Sequence, residues 1–480
     1  MHPLSQRIVD VLGLDPAAPA IQFERQWSTW GQLGAYAHKI SALVGTGQAG
    51  IMLRNSPRHV AALLGVLSGG GTAVVINPAR GDDRTRAEVA QLQLPVIIGL
   101  PEDLAALTPG TKATTVTLDD LDTGLVITPA ASSENRGRPG VAVWMLTSGT
   151  TGPPKRVDIT YDMLARSVLG REPEKSPAPQ KLRNGVAIVN SPLVHVGGVF
   201  RVLLCLVEAR PFVLLPKFDL TLWADAVREH RPKAVSLVPA ALRTVLHSEL
   251  TRDDLAGVKV VTSGTAPLSA DDADAFTAKF GIPVLTSYAA TEFGGGVASW
   301  TLSDHQKFWK DKRGSVGRAN PGARLRVVDR DGVPVEPGIE GLLEVIPAQM
   351  DSDAGWIRTT DLARIDADGF VWILGRADQA IIRGGFKVLP DDVKNALESH
   401  PAVAGAAVIG QPDARLGETP VALVELRPHA SADPDGLISH VRNRLARYEI
   451  PTEVVITAEI PRTPSGKPDL TAVRSIFADP

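Results

Sequence analysis

Short apolar runs ending in turn residues recur along this chain, and they restrict its fold more than any other feature. They are TAVVINP, GVAIVNSP, PFVLLPKF, KAVSLVPA, VKVVTSGT and IPVLTSYAATE. Helical patterns such as PRHVAALLGVLSGG and DLTLWADAVREH lie between several of them. β-rich runs alternating with helices point to an α/β fold with mostly parallel sheets. Continuously apolar strands suit sheets that helices cover on both faces. Ligands in such folds collect beyond the carboxyl ends of strands, where many of the polar and Gly-rich segments here fall. No solenoid-period repeat and no long low-complexity tract is evident.

A chain of 480 residues exceeds what one core supports, so two or more domains are expected. From about residue 318 the texture turns to hairpin-like pieces, ARLRVVDRDGVPVEPGIEGLLEVI and DLARIDADGFVWILGR, each with an Asp-Gly turn. They predict a β-rich subdomain. After Gly375-Arg376 a compact region shows a strand pair, a helix (PDDVKNALESH), a strand (VAGAAVIG) and another helix (GLISHVRNRLARY). The boundary is placed near Asp378. It gives a large N-terminal domain, 1–377, and a small α+β C-terminal domain, 378–480.

Composition is that of a soluble globular protein, 44% hydrophobic and 21% charged. The net charge of -3 argues against a nucleic-acid polymer or a membrane as partner. The one cysteine, Cys205, lies in the apolar run VLLCLVEA. It permits no intrachain disulfide, fits a reducing cytoplasm, and reads as core filler. The N-terminus shows no signal segment, and no apolar run is long enough for a membrane helix.

The stretch MLTSGTTGPPK, residues 145–155, follows an apolar run. Small hydroxyl residues and glycines let backbone N–H groups wrap an anion. The Gly-Lys-Ser/Thr ending of the familiar phosphate loop is absent, since Pro153 and Pro154 precede Lys155 and Arg156 follows. The plain alternative is a surface turn. Glu292, in SYAATEFGG, follows a strand. A carboxylate beside a phosphate loop makes sense with a cation between them, and Mg²⁺ bridges carboxylates and nucleotide phosphates. Asp361, in TTDLARIDADGF, either caps a turn or accepts hydrogen bonds from ribose hydroxyls. Arg376 suits phosphate or hydroxyl contacts. Gly384-Gly385 either make a turn or let a ligand pass close to the backbone. Lys467, in PRTPSGK, sits in a loop where solvation is the ordinary fate of a lysine.

TSGTTGPPK, SGTAPL, SYAATE, TTDLARIDADGF, GRADQAIIRGGFKV and PRTPSGK occur in one order. With these motifs the chain resembles the adenylate-forming ligases: acyl-CoA and aryl-CoA synthetases, adenylation domains of peptide synthetases, and luciferases. The resemblance runs from about Thr29 to the end. It implies a large N-terminal domain, a small mobile C-terminal one, and activation of a carboxylate by ATP with release of pyrophosphate. Transfer of the acyl group to a thiol, usually coenzyme A, follows. By motif, Thr147, Ser148, Gly149, Thr150, Thr151, Gly152 and Lys155 would face the β- and γ-phosphates. Thr291 would touch the α-phosphate, and Glu292 would hold Mg²⁺. Gly264, Thr265, Ala266 and Tyr288 would line the adenine slot. Asp361, helped by Arg376, would bind the ribose. Lys467 would bridge the carboxylate and the α-phosphate. His195 would stand beside the substrate carboxylate, with Val196, Gly197 and Ala289 lining the acid pocket. Asp378 would be the hinge, and Gly384 and Gly385 would border the pantetheine tunnel. Three positions depart from the pattern: Arg156, Ala289 and Thr360 stand where the family usually has glycine.

In the family, enzymes that take amino acids place an Asp near the His195 segment for the α-ammonium. SPLVHVGGVFRVLL holds no acid, and a buried ammonium without a partner is costly. The expected substrate is therefore a small non-amino carboxylic acid with a hydrophobic body. Arg201 is either a solvated helix residue or a contact for a polar tail. Coenzyme A is the expected acceptor; the alternatives are a carrier protein, an amine or a partner ligase. A monomer or homodimer is expected. A binding protein without catalysis is the remaining reading, and intact Lys467, Glu292 and Asp361 argue against it.

Overall fold

The computed structural model describes all residues except 123, 131–134, 147–154, 351–354, 385, 464–465 and 479–480. Its largest sheet has seven strands, in the spatial order 125–128, 114–118, 96–99, 48–52, 72–76, 141–146 and 156–160. The five central strands are parallel, and each edge strand is antiparallel. The helix Pro57–Ser68 shows why the strands read as unbroken apolar runs. It begins with proline, which is preset for a first helical turn, and every residue from His59 to Ser68 is buried. A helix apolar all round belongs inside a layered core.

A second sheet holds the parallel strands Ala234–Ser236, Val260–Ser263 and Val284–Ala290, extended by the antiparallel Gly295–Ser299 and Arg318–Ala319. Its core packs Trp223, Phe276 and Phe280 against Val235, Val261 and Val284. A third sheet joins 187–189, 212–214, 19–23 and 26–29. The predicted strands and helices of this half are all present, as are the mostly parallel sheets.

The β-rich part is a four-stranded antiparallel meander of Arg324–Val328, Glu340–Ile346, Ile357–Ile365 and Val371–Arg376. Asp368-Gly369 turns the last pair, as expected. The first Asp-Gly closes only a small loop with a Val328–Pro334 bridge. The true partner strand starts at Glu340, because Pro334 lacks the N–H that a ladder needs.

Beyond Ile381 a separate core forms around Val393, Leu397, Val408, Val424, Leu437 and Val454. Its sheet contains Val403–Asp413, Gly417–Leu426 and Glu453–Thr457 besides the short pair at 381–388. The sequence reading supplied the first strand of this hairpin, VAGAAVIG, and omitted the second, Gly417–Leu426; the turn is at residues 414–416. The second helix ends at Arg442, short of the expected Tyr448. Among the described residues no helix is long and apolar enough to cross a membrane.

Candidate active site

Strands Val260–Ser263 and Val284–Ala290 run parallel, with Ser263 opposite Thr286 and the second strand continuing to Ala290. Gly264 follows the first, where an added Cβ would lie 2.8 Å from Ser287 Oγ, so a larger residue there would have to displace that hydroxyl. Thr265 is left-handed, with φ of +72°. A β-branched residue there costs about 1–3 kcal/mol, and such strain collects at ligand-binding loops. The second strand runs into a tight turn, Thr291–Phe293, which holds Thr291 and Glu292 at its carboxyl end.

Tyr288 donates its hydroxyl proton to the Asp361 carboxylate in a short hydrogen bond. Burial, then the Asp361 charge, push the phenol above its ordinary pKa, so it remains a donor. Asp361 lies opposite Arg376 in the strand ladder. Arg376 gives Nε and Nη2 to the Asp378 carboxylate at 2.8 and 2.6 Å. The residue assigned to the ribose and the one assigned to the hinge are thus joined, and that pairing raises the guanidinium pKa.

Lys467 reaches this cluster from the C-terminal domain. Its carbonyl accepts from the Thr463 amide at 2.7 Å and from Thr463 Oγ1 at 3.1 Å, and Gly466 turns the loop with φ of +79°. Burial, then the positive charge of Arg376, lower the Lys467 pKa, while Asp361 and Glu292 oppose the shift. The ammonium therefore stands within the electrostatic reach of three residues distant in sequence. The approach is fixed by an ion pair between domains: Arg243 Nη1 lies 3.2 Å from Glu398 and 3.1 Å from Asp272, all largely buried. Thr265, Ala266, Arg243, Glu398, Gly405 and Lys467 line the cleft between the domains.

Residues Thr147, Ser148, Gly149, Thr150, Thr151 and Gly152 lie outside the described residues, as does Gly385. The flanks of the first loop are defined: Leu146 pairs with Arg156 in an antiparallel ladder. Arg156 is turned inward, donating to the carbonyls of Val75 and Trp144 at 3.1–3.2 Å and pairing closely with Glu88. The departure from glycine thus pins the base of the loop, and exposed Lys155 stands next to it. Gly384 is exposed, with φ of +56° and its amide bonded to the Leu416 carbonyl at 2.7 Å.

His195 caps the helix Val196–Val207. Two residues that sequence reasoning passed over hold it there. Asn55 accepts from the Leu193 amide at 2.8 Å and donates to the carbonyls of Ser191 and Leu215 at 3.0 Å. Gly198 lies so close to Pro192 that a Cβ would come 2.1 Å from its carbonyl oxygen. The doubled glycine after His195 was a readable signal for that contact; nothing local marked Asn55, Arg243 or Glu398. Cys205 is buried, and burial raises its thiol pKa to about 12, so it is core filler as expected.

Among the described residues there is no cluster of three or more metal-ligating side chains. Mg²⁺ keeps water and phosphate oxygens as most of its ligands and takes one or two carboxylates from protein. A single exposed carboxylate, Glu292, at a strand end beside the Lys467 loop fits that donor set.

Two family models match the chain: AMP-binding enzyme over residues 12–349, and the AMP-binding enzyme C-terminal domain over 392–467. A sulfoacetate–CoA ligase of Cupriavidus necator is 34% identical over 68% of this chain and 65% of its own length. An indoleacetate–CoA ligase of Aromatoleum aromaticum is 29% identical over 99% of this chain and 98% of that enzyme. Among solved structures, ATP-bound MatB from Rhodopseudomonas palustris superposes with a TM-score of 0.83 at 26% identity, covering 100% of this chain and 99% of MatB. The same protein in its apo form gives 0.70.

Proposed function

The chain belongs to the AMP-binding enzyme family and is an acid–CoA ligase that works through an acyl-adenylate with ATP, Mg²⁺ and coenzyme A; from that premise we propose that Lys467, Thr291, Glu292 and His195 carry the first half-reaction on a small non-amino acid. The observation behind this reading is the place of Lys467 in the domain cleft beside Thr265 and Ala266, where the charges of Arg376, Asp361 and Glu292 act on it. An anionic carboxylate must approach an anionic α-phosphate. At 4 Å and an effective dielectric of 20 the repulsion is about 4 kcal/mol. The Lys467 ammonium, half-desolvated and fixed by its turn, offsets it where charge develops. Mg²⁺ held by Glu292 would neutralise charge on the departing pyrophosphate. Thr291 positions the α-phosphate, and His195 orients the carboxylate from the helix end. Tyr288, Gly264, Thr265 and Ala266 hold the adenine, and Asp361 the ribose. Residues 147–152 with Lys155 hold the outer phosphates. Catalysis is positioning and electrostatics with little proton transfer.

We place the hinge at Asp378, between domains 1–377 and 378–480. The Arg376–Asp378 pair couples the hinge to the ribose site, so rotation exchanges Lys467 for Gly384 and Gly385 at the reacting centre. The relatives' names, sulfoacetate and indoleacetate, support small organic acids. The phosphopantetheine arm of a carrier protein would use the same tunnel as coenzyme A. A lone buried thiol fits a cytoplasmic enzyme. The test is ATP–pyrophosphate exchange over a panel of carboxylic acids, followed by thioester formation with and without coenzyme A. Acid-dependent exchange and CoA-dependent thioester are expected. Exchange with no thioester would move the acceptor elsewhere, and no exchange with any acid would overturn the reading.

A further inference from the structure

The helix that follows His195 carries an arginine, Arg201, within the fold of the large domain. On the helix Val196–Val207, the partly accessible residues Gly197, Phe200, Arg201 and Leu204 recur at three- and four-residue spacing, while Val199, Val202, Leu203 and Cys205 are buried. These four share one face. A Cβ built on Gly197 would meet nothing within 4 Å, so open space lies beside the upper turn of that face. On the opposing sheet, Val235, Val261 and Val284 point into the core. Strand alternation sends their neighbours Ser236 and Thr262 the other way, with Gly264, Ser287 and Ala289 further along the same face. Arg201 joins the two walls: its Nη2 donates to Ser236 Oγ at 3.0 Å and to Thr262 Oγ1 at 3.1 Å. His195 and Arg201 are six positions apart, roughly 9 Å along a helix axis.

Among the described residues no carboxylate forms an ion pair with Arg201. Burial lowers its pKa. A guanidinium stays protonated in proteins, so a full positive charge sits deep in the domain with hydroxyl partners alone. A buried charge without a counter-charge is costly. Both hydroxyl contacts are made through Nη2, and among the described residues Nε and Nη1 make no hydrogen bond, so they remain to donate to a ligand.

We propose that Arg201 binds a second oxyanion, a carboxylate or sulfonate, on the tail of the acid, so that the preferred substrate is a doubly anionic acid with a short apolar body. This rests on the acid–CoA ligase reading and specifies its substrate class. Phe200 and Leu204 flank the body, and Arg201 closes the far end. Doubly charged acids are selected because only they supply the missing counter-charge; a neutral tail leaves the guanidinium unpaired.

The test uses α,ω-dicarboxylates of three to eight carbons, each with its monomethyl ester, and sulfoalkanoic acids of matching length. ATP–pyrophosphate exchange is measured for the wild type, Arg201→Met and Arg201→Lys. The wild type is expected to favour at least one dianion over its ester by about 100-fold or more in kcat/KM. The sulfo acids decide which oxyanion fits better. Arg201→Met should lose that preference mainly through KM and gain on the esters, while Arg201→Lys keeps part of it. A wild-type preference for esters at every length overturns the proposal and leaves the ligase reading intact. Equal losses on dianion and ester in Arg201→Met, with the Lys variant no better, would make Arg201 a structural prop and also overturn it. Absence of exchange with every acid, singly or doubly charged, would instead reject the ligase reading. The wild-type comparison needs no variant to fold.

Discussion

At the residue scale, the charged groups are few and their roles separate by environment. Lys467 is held below its ordinary pKa by burial and by Arg376. An ammonium with a lowered pKa loses its proton earlier as pH rises, so adenylation should fall on the alkaline side at a pH below that expected for a free lysine. The pH profile of kcat/KM for pyrophosphate exchange reports this free-enzyme value. In Lys467→Arg the alkaline limb should disappear, because arginine does not deprotonate in this range; a limb unchanged in that variant would assign it to another group. The motif residues Tyr288, Asp361, Glu292 and Lys467 were all legible in the sequence, since each has a charge or hydroxyl in an ordered motif. Their linkage was not. The Tyr288–Asp361 bond joins residues 73 positions apart, a distance only the fold sets, whereas the Arg376–Asp378 pair is a local contact between residues two apart whose geometry depends on the turn after the strand. Arg201 shows the same limit: its spacing on an apolar helix was visible, but its burial and hydroxyl partners depended on which sheet face it met.

At the scale of elements, the apolar runs and helical patterns located the strands and helices of the large domain because periodicity and length agreed there. They missed the second strand of the hairpin Val403–Asp413 and Gly417–Leu426, although the polar stretch QPDARLGET separates its buried apolar run from the first. They failed also at Pro334, where a missing N–H delays the partner strand. The helix Val196–Val207 carries His195 at its cap and Arg201 in its second turn, so under the proposed roles its seating bears on both ends of the acid. Gly198→Ala would place a methyl group 2.1 Å from the Pro192 carbonyl oxygen. Overpacking of this kind costs about 1–3 kcal/mol. Urea unfolding should show a loss in that range, and KM for the acid should rise as the cap shifts. Wild-type stability with wild-type KM would mean the loop yields without effect.

At the scale of the whole molecule, the proposed scheme turns on how the two domains are arranged. The ATP-bound relative fits this chain better than the same relative in its apo form, and Arg243 ties Asp272 to Glu398 across the cleft. Glu398→Gln weakens that tie while keeping hydrogen-bonding capacity. Adenylation should slow about tenfold, equivalent to about 1.4 kcal/mol of closed-state preference, with thioester formation from supplied acyl-adenylate unchanged; equal slowing of both steps would contradict a closure role. The central claim is that one lysine, carried by a moving domain, serves the first step only. It is tested most directly by measuring the two half-reactions separately in Lys467→Ala. Pyrophosphate exchange should fall by at least about 100-fold, while transfer of the acyl group from supplied acyl-adenylate to coenzyme A stays within about threefold of wild type. Loss of both steps to the same extent, or exchange that persists, would contradict it.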